Sequence, residues 1–565
     1  MNINVYLISA CVLWKAVLAS ATEKNYPLVA TKLATIQGYH KTSYYGRQYE
    51  AFEGIPYALP PTGNRRFRPP QPITTPSKEV ISATRDPPRC IQFDYQNKET
   101  LGQEDCLYLS IYTPNLEKES KLPVILWFHE GAFQRGSGSY TKAKYLMDRD
   151  VILVTMNYRL GVFGFMSTED EVVSGNMGLK DQNLALKWVA ENIRHFGGDP
   201  KNISLLGVSA GGSSVHYHYL SKMSKGLFVN GMSFSGTALS PWAYDPQPLI
   251  TAKRLASIAG CTAESTLEMV ECLRRKPERA LTNATSEMLR QTTSRYFYYP
   301  FFMPVAERNV KDCFVNRPPE EILKSGDVYD APWVTGIVSE EGGSTVSGLA
   351  FNQEALSFID EKWETLTPYM LMYNKTQPLN RHSDIALTVR SRYIGENHEL
   401  KSNDSITMWG LLDMKTHESF SIVAEKSARL QAAANKNPVY AYYYSYRAAQ
   451  SHSELLSKTK FDFGVIHLDD ILLILENDYV DPSTTSNDKQ MLDKMLDFWY
   501  STITTGNPDL GLEWPTVEAE SEKFTYMHIA GPTNSSVTSS DNFGEKIFWR
   551  KLGAKLLGYI KRYKV

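Results

Sequence analysis

The chain has 565 residues, 42% hydrophobic and 22% charged, the balance of a soluble globular protein and not of a disordered or fibrous one. Its 60 basic and 62 acidic residues leave a net charge of -2, with no basic tract, so nothing in the charge pattern points to a nucleic-acid partner. A chain of this length buries a large core without metal or disulfide staples.

The first element is an apolar run from Val5 to Leu18, followed by Ala19-Ser20-Ala21, the small-x-small form of a signal-peptidase site. It reads as a signal peptide over 1–21, although Lys15 interrupts it and no basic residue precedes it. The expectation is a secreted protein with one large domain over 22–565. No later segment offers the ~20 apolar residues of a membrane span. Outside that leader, Cys90 and Cys106 flank a short loop, as do Cys261 and Cys272. Two local disulfides in an oxidising compartment are the natural reading, with Cys313 left as a buried free thiol. Asn-x-Ser/Thr triplets at Asn283, Asn374, Asn403 and Asn534 are candidate glycosylation sites. A fifth triplet, at Asn202, precedes a predicted buried strand and is set aside.

Leu122–His129 (LPVILWFH) and Val151–Tyr158 (VILVTMNY) read as buried strands, and Gln182–Phe196 carries apolar residues at helical spacing. Asn202–Val208 reads as a third strand, followed by a helix-compatible run from Ser213 to Leu220. Short apolar strands alternating with helices predict an α/β fold around a mostly parallel, doubly wound sheet. The segment from Ala243 to Tyr393 is richer in helical patterns and charge, and is expected to form a lid or cap inserted into that sheet domain. Pro438–Tyr446 reads as a late strand, and Phe498–Pro508 as a helix ending in a turn.

The chemistry is concentrated in Gly207-Val208-Ser209-Ala210-Gly211. A G-x-S-x-G match alone is weak, but here an apolar strand precedes it and a helix follows, the setting of a nucleophile elbow. Such a turn holds the serine in strained dihedrals, and small neighbours let the crossing backbone segments approach. The serine Oγ then stands at a helix N-terminus, where developing negative charge is favoured. Backbone N–H groups must also meet the oxyanion of the tetrahedral intermediate. Ala210, the residue after the nucleophile, supplies one. Gly131 and Ala132, in the loop His129–Phe133 after the strand LPVILWF, are the candidates for the others.

With these segments in place the chain resembles the type-B carboxylesterase/cholinesterase family over nearly its whole length, and insect esterases of juvenile-hormone, odorant or dietary type in particular. The resemblance is carried by Phe52–Ala58 (FEGIPYA), Glu104–Leu109 (EDCLYL), Asn157–Gly161 (NYRLG), Gly198-Asp199-Pro200 and Phe234–Thr237 (FSGT). It implies an α/β-hydrolase fold and a Ser-Glu-His triad in that chain order. The family's acid falls in Ile337–Gly342 at Glu341, with Glu340 the neighbouring alternative, and its histidine falls in Gly464–Asp470 at His467. The resemblance also implies the pairs Cys90–Cys106 and Cys261–Cys272, a small-molecule ester as substrate, and no metal or cofactor. His195, His216 and His218 are taken as structural.

Two positions depart from the pattern. Val208 stands where cholinesterases carry Glu, and the Cys90–Cys106 loop is too short for the segment that holds their choline-binding Trp. Cation–π recognition of choline needs that aromatic face, so the expected substrates are uncharged esters. Glu130 stands where the family carries Gly beside the oxyanion donors. A positive φ there would strain a glutamate, and its carboxylate would oppose the developing charge. Glu130 is also the best support for the competing reading, a catalytically weak esterase-like protein that binds, scavenges or adheres.

Overall fold

Valine, isoleucine, leucine and aromatic residues fill the strand segments because such side chains suit a pleated surface covered on both faces. The computed structural model describes residues 26–560 apart from 95–96, 293–295, 297 and 308–309, with side chains to 553. The predicted signal peptide over 1–21 lies outside them. One sheet has 11 strands: Tyr39–Thr42 (β1), Gln48–Pro56 (β2), Tyr108–Thr113 (β3), Leu122–Phe128 (β4), Ile152–Met156 (β5), Gly198–Val208 (β6), Asn230–Phe234 (β7), Trp333–Val338 (β8), Val439–Tyr444 (β9), Phe524–Ile529 (β10) and Ser535–Ser540 (β11). Their order is β1-β2-β3-β5-β4-β6-β7-β8-β9-β10-β11. From β5 across to β10 every pairing is parallel, and the pairings outside that block are antiparallel.

Strand β4 shows why the sequence reads as an unbroken apolar run. Val124, Leu126 and Phe128 join the core on one face, and Ile125 and Trp127 join a second core on the other. Both faces are dry, so the period-2 alternation of a half-exposed strand is absent. Each large side chain buried this way contributes about 1.5–3 kcal/mol. Trp127 stacks on Trp499 of the helix Ser486–Thr505 at 5.7 Å and closes the second face.

Four predicted elements change on the structure. The helix expected from Phe498 begins at Ser486 and ends at Thr505. The helix expected from Gln182 begins at Met177 and ends at Asn192, passing into a short 3-10 turn to Phe196. Its first turn is hidden in the sequence because it buries charges: Asp181 takes two bonds from the Arg159 guanidinium, at 2.8 and 2.7 Å, and Lys180 pairs with Glu307. The helix after the elbow starts at Ala210, three residues before the predicted run. The segment Ala243–Tyr393 is not one inserted cap. Core strand β8, with six buried residues, divides it into two helical excursions. Asn202 lies within β6 itself. Among the described residues no helix is long and apolar enough to cross a membrane.

Cys90 and Cys106 are bridged, as are Cys261 and Cys272, and Cys313 is a half-buried free thiol.

Candidate active site

The parallel strands end together, and the loops beyond them carry the predicted residues. Ser209 leaves β6 with φ 58° and ψ -120°, a strained conformation for a residue with a Cβ. It is held by two backbone bonds: its N–H donates to Phe234 O at 2.8 Å, and its carbonyl accepts from Ser213 N at 2.9 Å. The flanking glycines are required by contact. A Cβ on Gly211 would lie 1.9 Å from Phe128 O, and one on Gly207 2.5 Å from the Gly211 carbonyl carbon. The elbow therefore sits directly on the end of β4, where the loop Glu130–Phe133 begins.

That loop turns through three successive left-handed residues, Gly131 (φ 114°), Ala132 (φ 52°) and Phe133 (φ 62°). Glu130 is not among the positive-φ residues, so the strain expected at this position is absent; it begins one residue later, where glycine stands. The loop is tied down on both flanks. Gln92 Nε2 donates to Gly136 O, and Gly136 N donates to Gln92 Oε1, both at 2.9 Å. Gly161 N donates to Phe133 O at 2.7 Å. Among the described residues, the N–H groups of Gly131, Ala132 and Ala210 make no backbone hydrogen bond outside the helices and strands.

His467 and Glu341 come together across the sheet. Nδ1–H of His467 donates to Glu341 Oε2 at 2.6 Å, and Glu341 Oε1 accepts from Val338 N at 3.0 Å. Glu341 is fully buried, whereas Ser209 and His467 each keep 8% exposure, enough to meet a substrate. Glu340 turns the other way. Its Oε2 accepts from Val465 N at 2.6 Å, and its N–H donates to Val465 O at 3.0 Å, clamping the main chain of the histidine loop. Among the described residues Ser209 Oγ has no hydrogen-bond partner, and catalytic hydrogen bonds commonly tighten only around substrate.

Aromatic contacts span the distance from Ser209 to His467. Gly236 packs between the Ser209 carbonyl and Trp242. The Trp242 ring lies 6.0 Å from Phe420, and the Phe420 ring 5.0 Å from His467. Sequence reasoning missed both aromatics. Phe420 stands on a π-helical turn, His417–Ser421, that leaves no periodic signal. It also missed Asp469 and Asp470, which were in view only as part of the histidine segment.

The remaining predicted histidines are structural in their surroundings. Burial lowers His216 to about 4 and His218 to about 3, which keeps both neutral. His216 stacks on Trp333 at 4.3 Å, and His218 Nδ1 pairs with Ser224 Oγ at 2.6 Å. His195 is half-buried. Burial raises the Glu130 carboxyl, opposed first by a bond from its own backbone N–H and then by Arg135 and His467. With its backbone unstrained, Glu130→Gly is expected to change kcat by less than tenfold, or about 1.4 kcal/mol. A larger gain in steady-state assays would mean that the carboxylate restrains turnover.

A model of the carboxylesterase family matches residues 25–547. A carboxylic ester hydrolase of Bombus ignitus is 44% identical over 93% of this chain and 94% of its own length. Venom carboxylesterase-6 of Apis mellifera is 41% identical over 94% and 95%. Among solved structures, the juvenile hormone esterase of Manduca sexta superimposes with a TM-score of 0.80 at 26% identity, over 94% of this chain and 99% of that one.

Proposed function

The chain belongs to the carboxylesterase family and is a carboxylic ester hydrolase with the α/β-hydrolase fold; on that premise we propose that it is secreted and cleaves uncharged esters through Ser209, His467 and Glu341. The observation that carries the triad is the buried hydrogen bond from His467 Nδ1 to Glu341, on a sheet whose elbow presents Ser209 in a strained turn. The Manduca sexta structure holds OTFP covalently attached, which favours a covalent route here.

The proposed cycle is that of acyl transfer through a serine. Ser209 Oγ attacks the ester carbonyl carbon while His467 Nε2 takes the hydroxyl proton. The resulting imidazolium donates through Nδ1 to Glu341, which fixes the tautomer and balances the charge. The carbonyl oxygen becomes an oxyanion facing the N–H groups of Gly131, Ala132 and Ala210. The C–O bond to the alcohol breaks, and His467 returns the proton to the leaving oxygen. Water then attacks the acyl-enzyme, giving its proton to His467, and Ser209 leaves with that proton restored. No residue on this route needs a metal or cofactor.

Secretion is supported by the two disulfides, which persist in oxidising compartments. Residues 22–565 are read as one domain because a single sheet carries both hydrophobic cores. Asn283, Asn403 and Asn534 are exposed and suit glycans, although Asn283 Oδ1 accepts from Thr100 Oγ1 at 3.1 Å; Asn374 is half-buried, and its Oδ1 accepts from the Tyr299 hydroxyl. Replacing each of the first three by Gln is expected to remove one mobility step in gels of protein secreted from insect cells. Replacing Asn374 is expected to remove none.

The deciding test is turnover of p-nitrophenyl esters of increasing acyl length by the secreted protein. Multiple turnovers with a chain-length optimum support the reading. A single burst of p-nitrophenol without turnover would instead favour a scavenger that Ser209 acylates and does not release.

A further inference from the structure

Asp470 is a fully buried carboxyl that the ester-cleaving cycle does not use. It lies in the short helix Asp469–Leu472, just past Leu468, whose φ of 84° makes the turn that follows His467. Its Oδ2 accepts one hydrogen bond, from the Tyr442 hydroxyl at 3.0 Å, and its Oδ1 has no partner. Around it, Val465, Ile471 and Tyr444 belong to the second hydrophobic core. Neighbouring Asp469 is different: it accepts from Ser451 Oγ at 2.7 Å, His452 N at 2.8 Å and Ile466 N at 3.0 Å.

The ionisable groups facing Asp470 are Glu341 from the loop after β8, Tyr442 and Tyr444 from β9, and His467 and Asp469 from its own loop. Among the described residues no lysine or arginine pairs with it. One phenol is a poor counterpart for a carboxylate in an apolar core, and a second carboxylate nearby makes ionisation costlier still. A proton removes the charge that neither the phenol nor Glu341 can accommodate, and leaves Glu341 as the sole negative partner of His467.

We propose that Asp470 is held protonated behind the Glu341–His467 pair and acts as a positioning residue that keeps a single carboxylate charge on the imidazole. It builds on the triad reading above and deepens it. Burial first, and then Glu341, push its carboxyl up to about 7. As pH rises through that value, Asp470 begins to ionise beside His467. Stability moves in the opposite sense from that of a salt-bridged carboxylate. The folded state binds this proton more tightly than the unfolded chain, whose aspartates titrate near ~3.9. Asp470 therefore lowers stability progressively as pH rises from the unfolded value to about 7.

Asp470→Asn, which is isosteric and always neutral, tests this with thermal melts at several pH values and a pH profile of kcat/KM on p-nitrophenyl butyrate. The variant is expected to melt with wild type at low pH and above it at pH near 8. Its kcat/KM profile should lose the contribution of the position-470 proton near pH 7, and kcat/KM at the optimum should stay within about threefold of wild type. Equal loss of melting temperature at every pH, or activity lost throughout, would show that Asp470 works as a carboxylate and would overturn the proposal. Should the variant not fold, isotope-edited infrared spectra of the wild type with 13C-labelled aspartate decide. Burial also raises Asp469, to about 6, so the same spectra are taken of Asp469→Asn: a protonated aspartate band present there at pH 6 and lost as pH rises through neutrality is expected, and its absence overturns the idea. Failure of the triad reading is a separate result, visible as activity retained by Glu341→Gln.

Discussion

Ser209→Ala is expected to lower kcat on p-nitrophenyl esters by about a million-fold while the melting temperature stays within about 2 °C of wild type. The loss is chemical, because alanine has no atom that can form the acyl bond. The fold should not notice. The bonds that hold the elbow, from Ser209 N to Phe234 O and from Ser213 N to Ser209 O, belong to the main chain. The hydroxyl has no partner among the described residues, so its removal strands no donor or acceptor there. Titration with diethyl p-nitrophenyl phosphate checks the assignment independently: wild type should release one equivalent of p-nitrophenol and the variant none. Turnover in the variant at wild-type rate would place the nucleophile elsewhere.

The second large effect separates two adjacent carboxylates. Glu341→Gln should reduce kcat by about 10⁴-fold, and the direction can be argued atom by atom. Val338 N–H donates to Glu341 Oε1 at 3.0 Å, so the amide oxygen of glutamine takes that position. The amide NH₂ then points at His467 Nδ1 and makes it an acceptor. That tautomer carries its proton on Nε2, the nitrogen that must receive one from Ser209. Glu340→Gln keeps an oxygen for Val465 N–H and should stay within about tenfold of wild type. Steady-state kinetics on both variants decide the matter, and a larger loss at Glu340 would reverse the assignment.

Ser209 was legible in the sequence because one short segment carries the whole signal: apolar strand, glycine-flanked turn, helix. Strands β4, β5, β6 and β9 were legible for a related reason, since a sheet covered on both faces needs continuous apolar runs. The choice between Glu341 and Glu340 rested on resemblance, because neither residue type nor spacing separates neighbouring glutamates. Their roles diverge through distant contacts. Gly342 packs on Leu412 O and Gly343 on Ile466, and this turns one carboxylate to the imidazole and the other to the backbone of its loop. The first turn of the helix at Met177 was missed because buried ion pairs break the apolar pattern. Strand β8 was absorbed into a helical region, although its six residues WVTGIV carry no charge and fit the same rule as β4.

Heredity meets a sharp boundary at the elbow. A Cβ on Gly211 or Gly236 would stand 1.9 Å from the Phe128 carbonyl oxygen or 2.1 Å from that of Ser209, so a single extra carbon there jams main chain against main chain. No second substitution nearby can relieve such a clash, because the obstructing atoms are common to every amino acid. Trp242 and Phe420, outside the sheet, meet side chains, so a change there can be answered by repacking a neighbour. The elbow has no such latitude, and its glycines should pass unaltered through descent.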